Sequence, residues 1–263
     1  MTRRLRLVLS VLVLPYRDVV VLAKQLATLD VLTAGRVMLG VGIGAYREEF
    51  EAVRPGLKGA NRGVILEEGV RALQLLFTRR RASFQGQYVR FGEVELAPKP
   101  MQQPFPIYIS AHDAVGFRRA GRLADGLIVA GLPRERIGEA QQAVQAAAVE
   151  AGRDPSSLTL HVQIWLSFGR SQAEAEAKLR RSQHFRRMAK DPRGSAETIL
   201  AQYRAGNLFG NPDDVIDQLR RLERAGVGHM GIVFLGDTMG ELLADMELFA
   251  ERVMPAFAPA ASG

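Results

Sequence analysis

Leu5-Arg-Leu-Val-Leu-Ser-Val-Leu-Val-Leu-Pro15 and Arg36-Val-Met-Leu-Gly-Val-Gly-Ile-Gly44 are the two stretches that decide how this chain folds. Each is a nearly continuous apolar run of strand length, the pattern of a parallel strand buried on both faces. Between them, Leu22, Leu26 and Leu29 recur at helical spacing. Asp18 can cap that helix and Gly35 can end it. A strand, a crossover helix and a second strand that runs out into glycines make a βα unit leading into a ligand site.

Working outward, residues 46–53 start a short helix. Residues 62–77 form a longer one with Leu66, Val70, Leu73 and Phe77 on one face. Residues 83–91 read as a hairpin turning near Gln85-Gly86, and Pro98, Pro100, Pro104 and Pro106 mark a loop. Further strands are expected at 106–111, 125–130, 158–168 and 228–235. Helices are expected at 113–123, 134–151, 171–189, 213–225 and 239–253. The helix at 171–189 is strongly charged and reads as exposed. Residues 190–211 contain Pro192, Gly194, Gly206 and Gly210 and look partly irregular, with Asn211 or Asp213 capping the helix that follows. Strands alternating with helices and no dividing linker predict a single α/β domain, 1–263, on a parallel sheet.

Composition narrows the function. The 263 residues suit one large α/β barrel, and the absence of cysteine excludes disulfides, thiolate metal sites and cysteine nucleophiles. A reducing cytoplasm is the expected compartment. The net charge of +7 admits an anionic small ligand. Its arginine runs, Arg79–Arg81, Arg180-Arg181 and Arg186-Arg187, are scattered and lack interleaved aromatics, so no nucleic-acid role is expected. Arg3, Arg4 and Arg6 before an apolar run imitate a signal peptide, but Pro15-Tyr16-Arg17-Asp18 follows in place of a cleavage site. No run is long enough for a membrane span. His161, His184 and His229 show no metal-ligand spacing, and no metal is expected.

Gly40-Val-Gly-Ile-Gly44 invites a dinucleotide reading. The spacing is Gly-x-Gly-x-Gly rather than Gly-x-Gly-x-x-Gly, and Arg62-Gly63-Val64 stands where an acidic residue is wanted. Glycines serving only a tight turn are the simpler alternative.

Four stretches together carry a more specific likeness. They are Ser10-Val-Leu-Val-Leu-Pro-Tyr-Arg17 with Lys24-Gln25 and Thr28-Leu-Asp30; Gly35–Gly44 with Arg47-Glu-Glu-Phe50; Phe84-Gln-Gly-Gln-Tyr88 with Pro98-Lys-Pro100, Pro106-Ile-Tyr-Ile109 and Ala124-Asp-Gly126; and Gly210-Asn-Pro-Asp-Asp-Val215 with Ala225-Gly226 and Leu248-Phe-Ala250. In this order the chain resembles the bacterial luciferase-like flavin or deazaflavin oxidoreductases. The resemblance implies a (β/α)8 TIM-barrel type fold with an insertion at about 78–105. It also implies FMN or the deazaflavin coenzyme F-420 at the C-terminal strand ends.

Within that resemblance, Ser10-Val11 falls where deazaflavin users carry a bulge with a non-prolyl cis peptide behind the cofactor ring. Gly42, Ile43 and Gly44 match the ring-side loop. Ala111, His112 and Asp113 match a loop that binds phosphate through backbone amides, although an aspartate there would repel the anion. Ala130 and Gly131 match the turn after the next strand. Ala45 stands where some family dehydrogenases place a proton-donating glutamate, so no catalytic residue is assigned; Tyr46, Arg47 and His112 are weaker candidates.

The resemblance also implies two βα units, roughly 60 residues, ahead of the stretch at 4–35. Six parallel strands then make an incomplete barrel, with 4–14 and 228–235 expected to present unpaired edges. The expected function is hydride transfer between a deazaflavin or FMN and a small organic molecule, or a flavin-dependent monooxygenation. The alternative is a non-catalytic barrel remnant with weak cofactor binding or none. A homo-oligomer is expected.

Overall fold

The computed structural model of the chain describes residues 3, 5–189 and 195–258. The chain divides into two compact units, Met1–Ile128 with Ala140–Thr159, and Val129–Glu139 with Leu160–Gly263.

In the first unit the order is β1 (Leu7–Val13), α1 (Val19–Leu32), β2 (Val37–Gly42), α2 (Arg47–Val53), α3 (Arg62–Thr78), β3 (Arg81–Gln85), β4 (Arg90–Glu95), β5 (Ile107–Ser110), α4 (Ala114–Leu123) and β6 (Gly126–Ala130). The unit boundary falls inside β6, and helix α5 (Glu135–Glu150) returns the chain to this unit. Strands β1, β2, β5 and β6 pair in that order, all parallel. Every residue of β2 is buried, which is why its sequence is apolar throughout rather than alternating. β1 is shorter than the expected 4–14, because Leu14-Pro15-Tyr16 closes a 3-10 turn and Leu5 and Arg6 precede the strand; Arg4 lies outside the described residues.

Helices α1 and α3 start where side chains satisfy their free amides. The Asp18 carboxylate accepts from the N–H groups of Val20 and Val21, both at 2.9 Å. Asn61 does the same for α3. Leu66, Val70, Leu73 and Phe77 are all buried on one face of α3, as their spacing predicts.

β3 and β4 form the expected hairpin, and polar clamps tie the insertion down. Asp30, fully buried in α1, accepts from the backbone N–H of Gln102 at 3.0 Å and its side-chain amide at 2.8 Å. Glu68 of α3 accepts from the backbone N–H groups of Gln87, Tyr88 and Val89 at 2.6, 2.9 and 2.9 Å, gathering the hairpin turn onto the helix.

The second unit contains β7 (Thr159–Phe168, from Leu160 on), α6 (Gln172–Arg181), α7 (Gln183–Met188), α8 (Ala196–Gly206), β8 (Leu208–Gly210), α9 (Pro212–Arg224), β9 (His229–Phe234) and α10 (Met239–Arg252). β8 pairs in parallel with the C-terminal end of β7, and β9 pairs in parallel with His161–Leu166. The Gln218 side chain covers the backbone of β8 much as a strand would: its amide donates to Phe209 O at 2.7 Å and its oxygen accepts from Phe209 N–H at 3.3 Å. Ala175, Leu179, Ile199, Leu200, Tyr203 and Phe209 form the core of this unit.

Three expectations change here. The helix expected at 171–189 is two helices, because Ser182 takes an extended backbone and its hydroxyl caps α7 at Phe185 N–H, 3.1 Å away. That segment is also not simply a solvated face. Lys178 is nearly buried and bonds Asp245 of α10 at 2.6 Å, with Glu174 at 3.4 Å. The irregular 190–211 stretch holds α8, capped by Ser195, and the short strand β8; Pro192 and Gly194 lie outside the described residues. Asn211 rather than Asp213 caps α9, in a capping box with Asp214.

The Glu68 clamp makes a testable prediction. Burial raises its carboxyl pKa, but the Tyr88, Val89 and Gln87 amides and the nearby Arg90 charge outweigh it, leaving the group below its ordinary range. A depressed carboxyl contributes stability above its unfolded pKa, and that stability is lost as pH falls through the folded value. Glu68→Ala should cost about 2 kcal/mol near neutral pH. In urea titrations the gap between wild type and Glu68→Gln should close progressively as the solution is acidified below about pH 4. A pH-independent gap would show that the carboxylate charge does not hold the turn.

Candidate functional site

The candidate site in the first unit grows from one irregularity. β1 and β2 keep register from Leu7 opposite Val37 to Leu9 opposite Leu39, then shift so that Leu12 faces Val41. Within the shift the Ser10-Val11 peptide is cis, the irregular peptide expected at that position.

Gly40 and Gly42, two apart on β2, share a face and admit the bulge. A Cβ on Gly40 would lie 2.5 Å from Ile128 Cδ1, 2.6 Å from Leu9 O and 3.2 Å from Val11 Cγ1. One on Gly42 would lie 3.2 Å from Val11 Cγ2 and 3.9 Å from Ser110 Cβ. The two Val11 methyls therefore cover the space two side chains would have filled. Gly44 has φ +83°, and a Cβ there would meet Val13 Cγ1 at 3.0 Å and Tyr16 Oη at 3.1 Å. The glycine run is thus explained by close strand approach and one left-handed turn, not by a dinucleotide cradle.

The C-terminal ends of β1, β2 and β5 consequently stand side by side. Ser10, Val11, Gly42, Ile43 and Gly44 belong to one cluster, joined by Ser110 at the end of β5. Val11 and Ile43 are apolar yet remain 39% and 36% exposed. Arg62 donates to Gly44 O at 3.0 Å, and the Tyr16 hydroxyl donates to Glu49 at 3.4 Å. Burial, then the Glu49 charge, raises the Tyr16 phenol above its ordinary pKa, so it keeps its proton. Tyr16 and Arg62 were not singled out by sequence. Their place beside the loop depends on the turn at Gly44, and no spacing rule connects positions 16, 44 and 62.

After β5, Ala111 is buried and its N–H reaches Ile128 O at 3.1 Å, while His112 and Asp113 are exposed. Asp113 caps α4, its carboxylate accepting from Gly116 N–H at 2.7 Å. That carboxylate occupies the amide-rich helix end at which the resemblance places a phosphate. Ala130 and Gly131 lie in the second unit, where Gly131 has φ +64° and Trp165 packs within 3.4 Å of where its Cβ would stand. Among the described residues no group of acidic, histidine or cysteine side chains could hold a metal ion, and no helix is long and apolar enough to cross a membrane.

The chain belongs to the luciferase-like monooxygenase family, whose model matches residues 1–229. It is 29% identical over 244 residues to an F420-dependent glucose-6-phosphate dehydrogenase of Segniliparus rotundus, covering 87% of this chain and 72% of that protein. It is 27% identical over 279 residues to an FMNH(2)-dependent dimethylsulfone monooxygenase of Pseudomonas putida, covering 97% and 74%. The structure resembles that of the monooxygenase RslO1 from Streptomyces bottropensis with a TM-score of 0.81, 24% identity, and coverage of 98% and 80%. That likeness supports the α/β fold of (β/α)8 TIM-barrel type. The relatives are oxidoreductases and monooxygenases that use a deazaflavin or FMN.

The strand packing is open to a direct check. Gly40→Ala forces a methyl against Ile128 and the Leu9 carbonyl, and overpacking of that kind costs about 1–3 kcal/mol. Gly138→Ala, with nothing within 4 Å of its Cβ position on helix α5, should be neutral or mildly stabilising. Equal melting temperatures for the two variants would contradict the packing described.

Proposed function

We propose that this chain is an oxidoreductase that holds a deazaflavin of the F420 type, or FMN, against the C-terminal strand ends of its first unit and acts on a small organic molecule. The observation that carries the reading is the cluster of Ser10, Val11, Gly42, Ile43 and Ser110, in a chain of this family. Val11 laid over Gly40 and Gly42, and Ile43 at the end of the same strand as those glycines, are apolar and partly exposed, which suits one face of a planar ring. The cofactor, when bound, supplies the redox chemistry. The protein's part is to shape that platform, exclude water from it, and keep protons on groups beside the Gly44 loop. Tyr16, protonated and bonded to Glu49, is one such group, its hydroxyl close to Gly44 in the turn where Ala45 carries no acid.

The phosphate-bearing part of the cofactor belongs elsewhere than the Asp113 end of α4. The substrate class is left to experiment. A cytoplasmic location and self-association are further parts of this reading.

The test is fluorescence titration with F420 and FMN, wild type beside Ile43→Glu. Ile43 is partly exposed, so the substitution should move the melting temperature by only a few degrees while weakening cofactor binding by at least about tenfold. Equal affinity in the two proteins would remove the site from Ile43. If the wild type binds neither cofactor and shows no turnover with either in reduced form, the chain is a non-catalytic member of its family.

A further inference from the structure

The second unit contains a cavity lined by three arginines and two aspartates. It has a volume of about 370 Å³ and is lined by Arg134, Arg204, Phe209, Asp217, Gln218 and Arg221, among others. Arg134, three residues after Gly131, is half-buried. One of its terminal nitrogens donates to Asn207 O at 2.6 Å and to Gln218 Oε1 at 3.0 Å. Its Nε is fully enclosed and has no hydrogen-bond partner. Burial, then the neighbouring Arg221 charge, pulls the Arg134 guanidinium below its ordinary pKa, with only Glu135 acting the other way.

Arg134 and Arg221 thus line one cavity, and Arg134 keeps an enclosed donor unused. Like charges that share a cavity are costly where they outweigh the opposite charges, as is a buried donor without an acceptor. The neighbouring groups do not resolve either cost. Arg204 is engaged, lying 4.3 Å over the Phe209 ring and paired with Glu176 at 3.1 Å. The Asp214 carboxylate is taken by Asn211 N–H and the Gln172 amide. Asp217 is exposed one turn before Arg221, yet no ion pair between them forms in this unit.

We propose that Arg134 and Arg221 bind a phosphate group, as free phosphate or as the monoester of a small molecule. A tetrahedral dianion accepts from two guanidiniums at once and cancels their repulsion. The cavity has room for the organic part of a small phosphate ester beside the group itself. Asp217 is the competing anion and sets how tightly the phosphate is held.

The test uses the whole chain, with inorganic phosphate and glycerol 3-phosphate as probes and sodium chloride at matched ionic strength as control. Calorimetry and thermal melts should show saturable binding and a rising melting temperature with the phosphates, not with chloride. Arg221→Gln, an exposed position that leaves the fold intact, should weaken binding by about tenfold or more. Arg134→Gln should abolish it, and Asp217→Asn should tighten it. Arg220→Gln, exposed and outside the cavity, should match wild type. Tighter binding of glycerol 3-phosphate would identify a monoester as the ligand, and equal or weaker binding would identify free phosphate. The proposal is overturned if chloride reproduces the shift, or if Arg221→Gln and Asp217→Asn both bind phosphate as the wild type does.

Discussion

The close approach of β1 to β2 is the constraint on which the candidate site depends. Leu9 O sits 2.6 Å from where a Gly40 Cβ would be, so β2 must present bare backbone at that point. With that space open, the chain shifts register between Leu9 and Leu12 and lays Val11 over Gly40 and Gly42. The same glycine face brings Ser110 beside Gly42, and the left-handed turn at Gly44 sends Ile43 and Ala45 outward. A side chain at Gly40 would push β1 away and carry Val11 with it. The exposed apolar platform is therefore a consequence of strand packing, not an independent surface feature.

Around that sheet, side chains take over hydrogen bonding the backbone leaves unmet, as buried polar groups require. Asp30 and Glu68 fasten the insertion to α1 and α3. Gln218 pairs with Phe209 along β8, and Asp113 closes the start of α4. The last case shows that one residue can serve the fold at the expense of a ligand: the carboxylate that caps α4 takes the anion position at that helix end. In the second unit Arg134 shows the reverse, an enclosed donor that its surroundings leave unsatisfied.

Much of the fold was legible because parallel strands appear as apolar runs: β1, β2, β5, β6, β7 and β9 all lie where such runs predict them, with β2, β5 and β6 buried on both faces, β1 largely exposed and β9 only partly buried. β8 was not, because three residues between Gly206 and Pro212 offer no periodicity, and its backbone is satisfied by pairing with β7 and by the Gln218 side chain of the following helix. The break at Ser182 was hidden by a charge pattern that continues through it. Lys178 and Asp245, 67 residues apart, looked like surface charges because each is ordinary on its own. At the site, Ser10-Val11 and the glycines were legible by family position. The reason for Gly40 and Gly42 was not, since it lies in the methyls of Val11 on another strand. Tyr16 and Arg62 became visible only once the Gly44 turn had placed them.

The central claim is that the Val11 and Ile43 side chains form the surface on which the cofactor ring lies. Methyl NMR on a sample labelled at valine and isoleucine tests it most directly. Adding F420 or FMN should shift the Val11 and Ile43 methyl resonances through the ring current, while those of Val94 in the hairpin stay in place. Saturating cofactor that leaves Val11 and Ile43 unmoved, or that shifts methyls elsewhere in their stead, would contradict the account.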